Sequence, residues 1–177
     1  YTDVGPLIND RALSKVNLYV EEAKSRDLEV IVGGTPNLQP NEDCDGWFYE
    51  PTIFDYVDIN DKLMQEEIFG PVVAVTIFKN TNEAIWMLNN TGYGLSSAIY
   101  TNDVNEAFRF LNEAETGMVY VNASTIGAEI QLPFGGIKGT GNGHRDAGSS
   151  MIDNCTENKS CMVDYSGKVQ KAQIDNT

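Results

Sequence analysis

Histidine is almost missing from this 177-residue chain, His144 being its single instance, and basic residues are few, with 12 Lys and Arg against 26 Asp and Glu. A histidine metal cluster, or a serine triad with a His base, cannot be assembled from it without another chain or segment. The net charge of −14 repels phosphate backbones and anionic membrane surfaces alike, which argues against nucleic-acid binding. Cysteine is scarce too: Cys44, Cys155 and Cys161 are an odd number with no CxxC pair, which argues against a disulfide framework or a thiolate zinc site. No apolar run reaches the roughly 18 residues of a membrane span, and the amino end lacks the basic-then-apolar pattern of a secretory signal. The expectation is a soluble, cytoplasmic protein with no membrane or nucleic-acid partner. The sequons at Asn89, Asn122, Asn154 and Asn158 are then read as chance.

What is present is the composition of a folded domain: 41% hydrophobic and 21% charged residues can bury a sizeable core. The acidity is uneven. Residues 138–177 hold five basic and five acidic residues, leaving the whole acidic excess to the first 137. The chain begins at Tyr1 and enters at once on Gly5-Pro6, so it is expected to be a piece of something longer.

Periodicity alternates between helix and strand. Leu13, Val16, Val20 and Ala23 recur at helical spacing over Asp10 to about Ser25, with Asp10 available as the cap. Leu28 to Val32 reads as a short strand closed by Gly33-Gly34, and Thr35 to Gly46 as a polar loop. Val72 to Phe78 is nearly all apolar and rich in β-branched residues, which predicts a central strand covered on both faces. A helix over Thr81 to Asn90, a strand over Leu95 to Tyr100, a helix from Asp103 and a strand over Met118 to Val121 follow. Asp103 and Glu106 have the spacing of a capping box. The order predicts an α/β fold with a largely parallel sheet and flanking helices. Beyond the glycine-dense stretch Gly135 to Gly148 come a helix to about Asn154 and a final strand candidate, Cys161 to Tyr165, whose polar flanks suit pairing outside the main sheet.

Two segments could carry chemistry. Glu66 and Glu67 stand directly before Ile68-Phe69-Gly70-Pro71. They are either solvated carboxylates at a helix end or include one that accepts both hydroxyls of a vicinal diol. In the second segment, Gly139-Thr-Gly141-Asn-Gly143 looks like a phosphate-cradling loop, but the preceding strand ends too early for a dinucleotide fingerprint, which must follow a strand at once and open a helix. Lys138 and Arg145 are expected to tie down the loop through backbone carbonyls and a carboxylate such as Asp146. Glu42, Asp43 and Asp45 lack the residue order of a calcium loop, and Cys44 among carboxylates has the wrong surroundings for a low-pKa thiol. No nucleophile stands out.

The motifs Gly5-Pro6-Leu7-Ile8, Gly46-Trp-Phe-Tyr-Glu-Pro-Thr52, Glu66-Glu-Ile-Phe-Gly-Pro71, Tyr93-Gly94-Leu95 and Pro133-Phe-Gly-Gly-Ile-Lys-Gly-Thr-Gly141, in this order and spacing, resemble the carboxyl-terminal part of the catalytic domain of an NAD(P)-dependent aldehyde dehydrogenase. The ending Val163-Asp-Tyr-Ser-Gly and the segment Ile126-Gly-Ala-Glu-Ile130 resemble a semialdehyde-dehydrogenase branch. The resemblance implies that Glu67 holds the nicotinamide ribose hydroxyls of NAD or NADP, that Phe69 packs near the nicotinamide, and that Phe134 lines the aldehyde tunnel. Ala123 to Gln131, including Ile130, would be the substrate-specificity loop, and Asn122 a structural asparagine closing its strand. It further implies a partial catalytic domain over residues 1–158 and an oligomerisation strand and tail over 159–177, with homo-oligomers and the upstream part of the same enzyme as partners. The family's nucleophilic cysteine, general base and dinucleotide-binding domain would lie upstream, so no catalytic residue and no metal site is assigned here. One departure is Gly141-Asn-Gly-His-Arg-Asp146, where many relatives read GxGRE. The competing expectation is a non-catalytic interaction or oligomerisation module.

Overall fold

The computed structural model describes residues 4–37 and 45–168. Glu42, Asp43 and Cys44, read above as loop residues, lie outside the described residues. Helix α1 (Asp10–Ser25) is capped one residue earlier than expected: Asn9, not Asp10, accepts the Ala12 N–H, and Asp10 sits in the first turn where its charge complements the helix dipole. Strands β1 (Glu29–Val32), β2 (Pro36–Asn37), β3 (Phe48–Tyr49) and β4 (Thr52–Asp55) follow, then the one-turn helix α2 (Lys62–Gln65) and strand β5 (Val72–Ala74). The second half runs α3 (Thr81–Asn89), β6 (Tyr93–Gly94), β7 (Ser96–Ile99), α4 (Val104–Glu113), β8 (Met118–Val121), β9 (Ile137–Lys138) and α5 (Ser150–Cys155). No described helix is long and apolar enough to cross a membrane.

The alternation of helix and strand holds, and the class is α/β. Among the described residues the expected largely parallel sheet does not form as one continuous sheet. The strands make a three-stranded sheet in the order β1-β4-β5 and three separate pairs, β2-β3, β6-β9 and β7-β8. Among the described residues only β4-β5 and β7-β8 are parallel, each joined by a crossover containing a helix. The two-residue pairs β2-β3 and β6-β9 are antiparallel, the second bringing together segments that flank β7, α4 and β8 in sequence.

The Val72 to Phe78 run is also corrected. Only Val72–Ala74 pairs, at a sheet edge, and Val73, Ile77 and Phe78 are more than half exposed. A central strand needs a hydrogen-bonded neighbour along each edge, and the described residues supply β4 alone. Cys161 to Tyr165 forms no strand, and all five residues are exposed. Backbone pairing requires a partner edge, and none lies beside this segment among the described residues.

The core lies under α1. Leu13, Val16, Val20 and Ala23 on its apolar stripe share one buried cluster with Tyr49, Phe54, Val57, Leu63 and Ile68. Full burial of a side chain such as Phe54 contributes about 1.5–3 kcal/mol from removal of apolar surface. The second half packs through a close approach: a Cβ on Gly117, which opens β8, would collide with the carbonyl of Gly135, so only glycine admits the Gly135 stretch against the strand.

Tyr49 reports on this core by titration. Burial pushes its hydroxyl pKa up from 10.0 to about 12, and the hydroxyl donates to Asn17 Oδ1 at 3.1 Å. The folded value lies above the unfolded one, so this contribution is complete below pH 10 and is lost as pH rises towards about 12. Urea unfolding across that window is expected to show a fall in stability that Tyr49→Phe reduces. Equal pH dependence in both proteins would place the titrating group elsewhere.

Candidate functional site

The turn from Gln65 to Pro71 leaves α2 and delivers the chain to β5. Gln65 fixes its start, donating Nε2 to the carbonyls of Ile59 at 2.6 Å and Asn90 at 2.8 Å. Ile68 is drawn into the core cluster, so its neighbours Glu67 and Phe69 face outward, and Phe69 is 78% exposed. Phe69 has φ of 60°, the left-handed region, which an aromatic residue occupies at about 1–3 kcal/mol and only where its surroundings hold it.

The two carboxylates differ in what they touch. Glu66 Oε2 accepts the Tyr19 hydroxyl at 2.6 Å, and this hydrogen bond holds the Tyr19 pKa above its ordinary value by stabilising the neutral phenol. The Glu67 carboxylate makes no hydrogen bond or ion pair among the described residues, whereas its backbone carbonyl accepts Lys15 Nζ at 2.7 Å. An exposed, uncommitted carboxylate has the acceptor capacity for two hydroxyls at once. Beside it the exposed Phe69 ring offers an apolar face, so the turn has the chemistry to take a vicinal diol next to a planar ring.

In the glycine-rich segment, Phe134 and Asp146 pair through reciprocal backbone hydrogen bonds of 2.5 and 2.7 Å. Phe134 is 37% exposed and lines a recess of about 430 Å³ with Leu95, Thr140, Asn142 and His144. Glu67, Phe69 and Ile130 do not line it. Ile130 is 82% exposed, and only its carbonyl is engaged, by the Gly148 N–H at 2.9 Å. The sequence-predicted residues therefore stand at separate places in this chain: the Glu67 turn, the Phe134 recess and the Ile130 loop.

The basic residues behave as structural ties. Lys138, itself at φ of 53°, donates to the Asn89 carbonyl at 2.6 Å and meets Glu115 at 2.7 Å, and Arg145 donates to the Gly136 and His144 carbonyls. The carboxylate partner is Glu115 and not Asp146, whose recorded bonds are the backbone pair with Phe134. In the departing loop, His144 Nδ1 lies 3.0 Å from Asn154 Oδ1, and the Asn154 amide donates to the Arg145 carbonyl. Asn122 closes β8 as expected: its side chain exchanges two hydrogen bonds of 2.9 Å with the Thr101 backbone.

A larger recess of about 600 Å³ lies elsewhere, between Thr76 to Phe78 and β7, lined by Ile85, Leu88 and Phe110 among others. Its carboxylate, Glu106, is already committed to the hydroxyls of Thr81 and Thr101, which lower its pKa. The same bonds draw Glu106 away from the capping-box role, leaving Asp103 to cap α4 alone through the Asn105 N–H. This recess holds none of the sequence-predicted residues. Cys155 and Cys161 are exposed, and no group of His, Cys, Asp and Glu among the described residues could hold a metal ion.

The sequence reading missed Lys15 and Tyr19. They reach the turn across 52 and 47 residues, and nothing in the local pattern of α1 distinguishes them from other polar positions on an amphipathic helix.

The aldehyde dehydrogenase family model matches residues 1–161. This chain belongs to the aldehyde dehydrogenase family. Among curated relatives of the family, an NAD(P)+ aldehyde dehydrogenase of Saccharomyces cerevisiae is 37% identical over 170 residues, covering 92% of this chain and 31% of that protein. The alpha-ketoglutarate semialdehyde dehydrogenase of Haloferax volcanii is 37% identical over 165 residues, covering 92% of this chain and 34% of that protein. Among solved structures, the indole-3-acetaldehyde dehydrogenase of P. syringae, in complex with NAD+, superposes with a TM-score of 0.81 at 35% identity, covering 88% of this chain and 30% of that one. The chain spans about a third of the length of the curated aldehyde dehydrogenases it matches.

Because Lys138 ties three segments together, Lys138→Met is expected to destabilise the fold by about 1–2 kcal/mol, mainly through the lost bond to the Asn89 carbonyl, since the half-exposed Glu115 pair is worth little. Urea denaturation measures the loss. An unchanged midpoint and slope would show that the cation is not the tie.

Proposed function

We propose that this chain is the carboxyl-terminal part of the catalytic domain of an enzyme that oxidises an aldehyde to a carboxylic acid with NAD or NADP. The observation that carries the reading is the Glu67 to Phe69 turn, where an exposed carboxylate without a protein partner among the described residues stands two positions from an exposed aromatic ring held in a left-handed backbone. A nicotinamide cofactor, when bound, supplies the hydride acceptor for aldehyde oxidation. Glu67 would accept the ribose hydroxyls and so orient the ring, and Phe69 would pack beside it. Phe134 would form part of the aldehyde-binding wall, and Ile130, on its exposed loop, would face the substrate entrance.

The nucleophilic cysteine, the general base and the dinucleotide-binding domain would come from the upstream part of the same enzyme. The free β5 edge and the apolar recess beside β7 support this division, because Val73, Ile77 and Phe78 leave a broad apolar surface that further chain would bury. Residues 1–158 would belong to the catalytic domain, and the exposed Met162, Val163 and Tyr165 suit an oligomerisation role for 159–177. The cellular site proposed is the cytoplasm. Nothing in the fold or among the relatives favours the non-catalytic module.

In the full-length enzyme, Glu67→Gln is expected to slow turnover by an amount worth about 1–3 kcal/mol, because a charge-assisted contact that orients the reacting ring becomes a neutral one. Steady-state kinetics with NAD and NADP measure this, and unchanged kcat together with unchanged cofactor affinity would remove Glu67 from the site. Phe134→Ala should alter preference across a series of aldehydes of increasing chain length more than it alters cofactor KM. Identical selectivity in the variant would refute the wall role of Phe134.

A further inference from the structure

We propose that Asn142 is a site of spontaneous deamidation, and that the carboxylate it becomes turns the Phe134 recess against aldehydes carrying a negative charge; the second half rests on the aldehyde-wall role proposed for Phe134. Asn142 is the one asparagine of the chain that glycine follows, and it stands in the Gly141 to Asp146 stretch, to which the proposed function gives no role. Attack on an asparagine Cγ by the next backbone nitrogen needs a close approach, which glycine, having no side chain, hinders least. Gly143 has φ of 92°, and a Cβ on it would meet nothing within 4 Å. Both residues are exposed, so water reaches them. The segment is pinned on either side and free at its tip. Gly141 passes so close to the Gly136 carbonyl that a Cβ would collide with it, and Asp146 is paired to Phe134 through the backbone. Between these pins neither the Gly143 N–H nor Asn142 Nδ2 makes a hydrogen bond among the described residues, so nucleophile and leaving group are both uncommitted. A donor is also needed at the carbonyl oxygen on which charge develops, and the His144 N–H donates to Asn142 Oδ1 at 3.0 Å. Asn122 is the contrast: its Oδ1 and Nδ2 are both bonded to the Thr101 backbone, and Ala123 follows it.

In the step itself the Gly143 nitrogen bonds to Asn142 Cγ, the Cγ–Nδ2 bond breaks, and Nδ2 leaves as ammonia with the proton that the Gly143 nitrogen gives up. Water then opens the cyclic imide at either carbonyl, giving aspartate or, where the backbone carbonyl is attacked, isoaspartate. Nothing is oxidised or reduced, and water is the sole co-reactant. Each product adds a negative charge near Asp146, and Asn142, His144, Asp146 and Phe134 line the same recess of about 430 Å³. Isoaspartate also lengthens the backbone before Gly143, in the loop whose far end pairs with Phe134. An aldehyde with a carboxylate tail would there meet a second like charge, whereas a neutral aldehyde would not.

The test ages the full-length enzyme in mildly alkaline buffer at physiological temperature and follows it by peptide mapping and by enzymatic methylation of isoaspartate, with a synthetic peptide of residues 139–147 as reference. Conversion at Asn142 is expected to stay within about tenfold of the peptide's rate, to run at least about tenfold ahead of Asn122 and Asn154, and to quicken as pH rises. Conversion more than about tenfold slower than in the peptide, or no faster than at Asn122, would overturn the modification site. For the consequence, Asn142→Asp supplies the charge with the backbone length unchanged. Its KM for succinate semialdehyde should rise about fivefold while that for butanal holds within about twofold, the difference shrinking as salt is raised, and aged enzyme should shift the same way. Unchanged discrimination between these two aldehydes in Asn142→Asp, where Phe134→Ala does alter aldehyde preference, would overturn the consequence and leave the Phe134 wall standing. Unchanged preference in both variants would instead refute the wall role and the consequence with it, while conversion at Asn142 is read without reference to turnover.

Discussion

Helix α1 lies with Val16 and Val20 sealed in one cluster with Phe54, Val57 and Ile68, and the remaining architecture of the first half is arranged around that contact. It draws β4 under the helix, and with β4 come its antiparallel partner β1 and its parallel partner β5. It also fixes where the Glu66 to Pro71 turn can run, since Ile68 must enter the cluster and Gly70 must pass against Val16. The outward direction of Glu67 and Phe69 is thus a consequence of core packing. Interiors packed at crystal density allow few alternative paths for such a turn, so apolar contacts ordain the placement of a polar group.

The second half is organised differently. Its strand pair β7-β8 is a small crossover unit around α4, and it is bound to the glycine-rich stretch mainly by backbone and charge-assisted hydrogen bonds. Asn89 illustrates the point: its amide bridges the Glu113 carbonyl and the Glu115 N–H while its own carbonyl receives Lys138. With few fully buried side chains there, ties of this kind hold the loop that presents Phe134. Apolar side chains such as Ile77, Phe78 and Tyr100 remain exposed beside the larger recess, and they account for the gap between a composition that suits a packed core and a core confined to one side of the chain.

The linear pattern made some features legible and hid others. The stripe Leu13, Val16, Val20, Ala23 buried as its spacing required, and α3, α4 and β8 formed within a residue or two of their expected bounds, because each of these depends on neighbours three or four positions away or on alternation. The Val72 to Phe78 run misled because apolar β-branched residues show only that a strand suits the segment, and not whether a partner stands on each edge. Strand β4, which carries the largest fully buried side chain of the core, Phe54, went unread because Thr52 to Asp55 is too short and too mixed to separate from its surroundings. Glu67 was singled out as half of an acidic pair, but its difference from Glu66 rests on which of the two Tyr19 reaches.

Taken alone, the sequence determined the α/β class, the amphipathic faces, the acidity that argues against polyanionic partners, and the motifs that resemble the aldehyde dehydrogenase family. These are local or compositional properties, set by the spacing of side chains along the chain and by their charge. Only the tertiary structure decided that Glu66 is committed and Glu67 free, that Phe69 turns through a left-handed backbone, and that Lys138 pairs with Glu115. Each of those depends on groups brought together across tens of residues, where the arrangement is chosen by packing of the whole core and leaves no mark on the neighbouring sequence.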